Sequence, residues 1–160
     1  MRRQHTATLY VVYEDRILLH FHKKFNKWLP AGGHVEENEM PHEAALREAF
    51  EETGLTCQII EQENIKVHEK NAVSIPRPYL TLLENIPTIG KDPAHQHIDF
   101  IYVGTTDNPQ TNGVEECRWF SIDDINRLVD EVEVFRDIKQ VAKQILVWQK
   151  LSSSQQLVST

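Results

Sequence analysis

Residues 33–55 read GHVEENEMPHEAALREAFEETGL, and this stretch decides both the fold and the chemistry of the chain. It carries Gly33, Glu39, Arg47, Glu48, Glu51, Glu52 and Gly54 at fixed offsets. The pattern predicts a helix over 41–53. Pro41 suits a first helical turn, where its missing N–H leaves nothing unpaired. Gly54 suits the left-handed terminus that glycine tolerates. Ala45, Leu46, Ala49 and Phe50 form the apolar side expected to pack inward. Glu48, Glu51 and Glu52 stand at i, i+3 and i+4, which places them on one helical face. Like charges on one face repel, so an ordinary surface helix gains nothing from them. A bound divalent cation removes the repulsion, and hard oxygen ligands suit Mg²⁺ or Mn²⁺. The pairs Glu43–Arg47 and Arg47–Glu51 also fit a solvated helix face. That simpler reading explains neither glycine, nor the adjacent Glu51 and Glu52.

The segment resembles the Nudix box, the signature of the Nudix hydrolase family. That pattern is Gly, five residues, Glu, seven residues, Arg-Glu, an apolar residue, any residue, Glu-Glu, any residue, Gly and an apolar residue. Every fixed position is met, with Ala49 standing where a larger aliphatic residue is usual. At average residue usage, seven fixed positions match by chance on the order of once in 10⁸ to 10⁹ starts, which makes the resemblance specific. The stretches WLPAGG (28–33) and RWFSIDDI (118–125) look like further family features.

The resemblance implies an α/β fold, an α/β/α sandwich with a mixed β-sheet. It implies metal-dependent hydrolysis of a phosphoanhydride in a nucleoside diphosphate linked to another group. It makes Glu51 and Glu52 the main metal ligands, joined by the backbone carbonyl of Gly32. Glu48 becomes either a ligand or the base that takes a proton from water. Arg47 would orient the glutamates, Glu39 would pair with it or support the metal shell, and Gly33 and Gly54 would be structural. Many members use another carboxylate from outside the box. Glu115 and Glu116 are the candidates here, and a solvated loop end explains them equally well. Two other functions share the resemblance. A non-catalytic nucleotide-binding module would show a degraded box, which this chain does not. A diphosphate isomerase would need further catalytic residues, and none stands out.

Composition sets the frame. A chain of 160 residues, 40% hydrophobic and 26% charged, fits one globular domain, assigned to 1–150 with 151–160 as a disordered tail. No run of 18 apolar residues exists, so no membrane span or membrane partner is expected. The N-terminus reads as a strand rather than a signal peptide. Two distant cysteines, Cys57 and Cys117, suit reduced thiols, a cytoplasmic protein and no zinc site. A formal charge of −7 argues against a nucleic-acid polymer as partner. A small nucleotide or related diphosphate remains a fitting partner, because a metal neutralises it locally.

Along the chain, strands are expected at 6–13, 17–22, 57–61, 65–67, 79–83, 98–103 and 117–120. Ser121 is placed to cap a helix over 123–129. A last helix over 132–148 carries Val134, Ile138, Val141, Ile145 and Trp148 at helical spacing. Two irregular segments, 85–97 and 105–113, are candidate binding loops expected to frame the ligand pocket with the box helix. His95 and His97 share one strand face and are candidates for substrate contact, with ordinary surface histidines as the alternative. Trp28 is a candidate for stacking on a base, with core packing as the alternative.

Overall fold

The side-chain alternation of β1 (Arg3–Tyr13) divides the interior into two cores. Ala7, Leu9 and Val11 pack with Ala44, Ala45 and Ala49 of α1 (Pro41–Thr53). Tyr10 and Val12 point the other way, into a cluster with Val141 and Ile145 of α3 (Arg136–Val158). A strand apolar on both faces belongs in a sheet covered on both sides, which gives the expected α/β/α sandwich. The structure is a computed structural model and describes residues 1–158.

The sheet is mixed. β1 runs antiparallel to β2 (Arg16–His22) across a tight turn and parallel to β9 (His95–Thr105). β3 (Lys27–Leu29) pairs with the end of β2, and β4 (Ala31–His34) pairs with the start of β1. β5 (Gln58–Ile59) and β8 (Leu80–Ile86) both pair with β9, and β10 (Glu116–Phe120) pairs with β2. β6 (His68–Glu69) and β7 (Ala72–Val73) form a separate hairpin. α2 (Ile122–Arg127) is capped by Ser121, whose hydroxyl accepts the Asp124 N–H at 3.2 Å.

Several expectations shift. The strand expected at 65–67 is absent, and the β6–β7 hairpin follows it instead. Ile65 and Val67 are exposed, so no apolar face there anchors a strand to the sheet. The strand expected over 57–61 shortens to Gln58–Ile59. The irregular segment 85–97 shrinks to 87–94, because backbone pairing with β1 and β8 draws His95, Gln96 and His97 into β9. α3 starts at Arg136 rather than 132, since Val134 bridges Asp130 and is fully buried. The helix continues past Trp148 through 151–158, where a tail was expected, and 159–160 lie outside the described residues. Phe50 does not pack inward and stands 58% exposed. The buried ridge of α1 is instead Ala44, Ala45, Ala49 and Thr53. These small side chains let the helix lie close on the sheet, which accounts for alanine at position 49. Among the described residues, no helix is long and apolar enough to cross a membrane.

Candidate functional site

α1 is stopped and started by the residues its sequence advertised. Pro41 opens it, and the Glu43 carboxylate accepts the Met40 N–H at 3.0 Å. Gly54 closes it at φ 76°, donating its N–H to the Phe50 carbonyl at 2.8 Å. Between these ends Arg47 organises a carboxylate clasp. Its Nε and Nη2 donate to the two oxygens of Glu39 at 2.8 and 3.1 Å. Nη1 donates to Glu48 at 2.8 Å and Glu51 at 3.4 Å, and Nη2 also reaches the His34 carbonyl at 3.1 Å. A guanidinium has five N–H donors, and five bonds are made, so none is left for a substrate. Arg47 therefore acts on the glutamates.

The clasp separates the carboxylates electrostatically. Hydrogen bonding from Arg47 holds Glu39 below the usual carboxylate range. Glu48 goes the other way. Burial pushes its carboxyl up, Arg47 opposes this, and the charges of Glu52 and Glu51 push it further up. Glu48 also sits in a cradle that only glycine provides. A Cβ on Gly33 would lie 2.6 Å from Glu48 Cδ and 3.0 Å from Oε2.

Glu52 faces the other end of the site. Its Oε1 accepts the Gly32 N–H at 3.0 Å, and its Oε2 lies 2.7 Å from His20 Nε2. His20 was not among the residues singled out from the sequence. Its signal was a polar residue inside the apolar strand 17–21, at a position the fold buries to 1% exposure.

Burial separates the two carboxylates at the entry to β10. Glu116 is exposed, whereas Glu115 is half-buried with Oε2 buried and without a hydrogen-bond partner. Burial pushes the Cys117 thiol up to about 11, with Glu52, Glu115 and Glu116 adding to the effect. Glu52 and Glu115, without Glu116, also both act on the His22 ring, so Glu115 belongs to the same electrostatic neighbourhood as Glu52.

Other candidates stand elsewhere. Thr6 and Thr8 point away from α1 and donate to buried Asp99, at 3.0 Å from Thr6 and 2.9 Å from Thr8. His95 and His97 share that face, with Nε2 atoms 3.1 Å apart. His97 also stacks edge-on against His34, and its Nδ1 lies 3.7 Å from Glu84. These histidines do not join the glutamates of α1. Trp28, a candidate for base stacking, instead packs edge-on against Phe21 and Phe120. The segments expected to frame one pocket lie at opposite ends of β9, which spans eleven residues, about 36 Å. Only the second flanks α1, where a cleft of about 220 Å³ opens between Gly54, Leu55, Thr56 and the 106–110 loop.

The donor set tests the implied cation. Glu48, Glu51, Glu52 and Glu115 offer only oxygen, one of them buried and unpaired. Crowded carboxylates and an orphaned oxygen both fit a hard divalent ion such as Mg²⁺ or Mn²⁺. Among the described residues, no three ligating side chains converge closely enough as they stand. Arg47 draws Glu48 and Glu51, while Gly32 and His20 hold Glu52.

Residues 3–142 match the NUDIX domain family. The chain belongs to the Nudix family. A Nudix-family hydrolase from Clostridium perfringens is 30% identical, with 93% of this chain and 99% of that one covered and a TM-score of 0.75. Membership and this relative make the chain a hydrolase. A C. elegans Ap4A hydrolase shares the fold at 17% identity, over 92% of this chain and 98% of that one, with a TM-score of 0.63. A UDP-X diphosphatase shares it at 18% identity, over 96% and 65%, with a TM-score of 0.56.

Proposed function

We propose that this Nudix hydrolase cleaves a phosphoanhydride bond in a small nucleoside diphosphate derivative, using a divalent cation held by α1. The observation that carries the reading is the gathering of Glu39, Glu48 and Glu51 around a guanidinium with no donor to spare, with Glu52 held beside them on α1 by Gly32 and His20. In this reading Glu51 and Glu52 hold the cation, Mg²⁺ or Mn²⁺, and the Gly32 carbonyl joins them. Glu115 completes the oxygen set from β10's approach. The cation would neutralise charge on the phosphates and favour attack by water. Glu48 takes the proton from that water, and burial has moved its carboxyl toward the working range of a general base. Arg47 fixes the directions of Glu48 and Glu51, and Glu39 fixes Arg47.

Relatives of the same fold are described as acting on Ap4A and UDP-X, which supports a nucleotide-derived substrate. The formal charge of −7 favours a small ligand over a nucleic-acid polymer. Cys57 and Cys117 are both free, which supports a reducing, cytoplasmic setting.

A panel of dinucleoside polyphosphates, nucleoside diphosphate sugars and nucleoside triphosphates, assayed with Mg²⁺ and with Mn²⁺, tests this. At least one member should be hydrolysed, with turnover abolished by chelation and restored by added cation. Turnover that survives exhaustive chelation would sink the metal reading. No turnover across the panel would sink the substrate class.

A further inference from the structure

We infer that His20, on β2 and outside the box, is a positioning residue that fixes the carboxylate of Glu52 for cation binding. The inference rests on the metal reading above. His20 sits in the strand RILLHFH beside Ile17, Leu18 and Leu19, all buried, and is itself only 1% exposed. An apolar side chain would fill this slot without the cost of desolvating an imidazole. The ring's placement explains the choice. Its Nε2 lies 2.7 Å from Glu52 Oε2 and 3.3 Å from the Pro30 carbonyl. Both neighbours are acceptors, so Nε2 carries the hydrogen. Nδ1 has no hydrogen-bond partner among the described residues, so the polar contacts of the ring all run through Nε2.

The consequence for Glu52 is geometric. His20 holds one carboxylate oxygen and the Gly32 N–H holds the other, at 3.0 Å. Two donors fixed on separate strands set the plane of the carboxylate. A carboxylate offers about four lone-pair sites, so unoccupied ones remain for a cation. The same Nε2–H also reaches Pro30, two residues before Gly32. One buried ring therefore ties a helical ligand to the strand that supplies the backbone ligand. Partners of this kind set ligand orientation, and losing one typically costs about 10- to 100-fold in metal affinity or activity.

The test compares His20→Gln with His20→Met, which have similar length and volume and differ in the hydrogen-bond donor. Mn²⁺ binding to the metal-free protein is measured from the free Mn²⁺ signal in electron paramagnetic resonance. Circular dichroism and thermal melting of the metal-free proteins report folding. His20→Met should bind Mn²⁺ about 10- to 100-fold more weakly than wild type. His20→Gln should recover most of that loss. Equal Mn²⁺ affinity in the two variants, or wild-type affinity in His20→Met, would overturn the inference while leaving the metal reading intact. Wild-type protein that binds no Mn²⁺, or binds it undiminished as Glu52→Gln, would overturn both.

Discussion

Replacing Gly33 by alanine should separate activity from stability more cleanly than any change at a charged residue. The added Cβ would lie 2.6 Å from Glu48 Cδ and 3.0 Å from Oε2, closer than real contacts allow. The Gly33 backbone is not in the left-handed region, so it accepts alanine without strain. The side chain of Glu48 must therefore yield, and it can swing toward solvent. Doing so breaks the 2.8 Å bond to Arg47, a charge-assisted hydrogen bond of about 1.5 to 3 kcal/mol. Alanine returns about 0.4 to 1 kcal/mol by restricting the unfolded chain. The net cost is about 1 kcal/mol, a fall of about 2 to 4 °C in Tm for a domain of this size. With Glu48 as the proposed general base, catalysis should suffer far more, because displacing such a group costs about 10² to 10⁴ in rate. Melting curves and kcat on the best panel substrate measure both effects. Gly33→Ala combined with Glu48→Gln should be no slower than Glu48→Gln alone, since both remove one group. A single variant within a few-fold of wild-type kcat, or a double variant slowed by the product of the two losses, would refute the cradle.

Glu84 should set a pH dependence of stability. Burial and the charges of Asp99 and Asp137 push its carboxyl from 4.5 up to about 7. The folded state thus keeps a proton that the unfolded chain releases, so stability falls as pH rises between these values. At about 1.4 kcal/mol per pH unit, the loss approaches about 3 kcal/mol. Urea denaturation at pH 5 and pH 8 should show that slope in wild type and a flatter one in Glu84→Gln. An unchanged slope in the variant would discard the assignment. Glu115→Gln should weaken Mn²⁺ binding at least tenfold, by the usual scale for a lost ligand-shell group, while Glu116→Gln stays close to wild type. Equal effects from the two would show that their difference in burial does not decide which one serves the cation.

The box helix α1 was legible in the sequence because its constraints are local. Proline, glycine and three glutamates at helical spacing specify a start, a stop and a face without reference to anything distant. The sandwich was expected from the family resemblance, and the two faces of β1 show its physical basis. What escaped depended on pairing across strands. The alternation of His95 and His97 suggests a strand face, yet the same residues close the irregular reading of 85–97 until β1 and β8 supply their backbone partners. Glu115 and Glu116 look alike until the entry to β10 half-buries the first and exposes the second. His20 looks like a polar interruption until Glu52 arrives from α1, thirty-two positions along the chain. Asp99 and Glu84 carry no motif, and it is chiefly burial that pushes their carboxyls up.

β4 is four residues long, and its neighbours Gly32 and Gly33 serve different partners. Gly32 offers its N–H to Glu52 and lies opposite Thr8, while Gly33 leaves room for Glu48 and lies opposite Ala7. Sliding β4 by one residue against β1 would exchange these duties and turn each residue to the wrong side. The spacing from β3 to α1 is therefore a measured length. Substitutions there can be absorbed by one side chain at a time, whereas a single inserted or deleted residue would put the Gly32–Glu52 and Gly33–Glu48 contacts out of step at once.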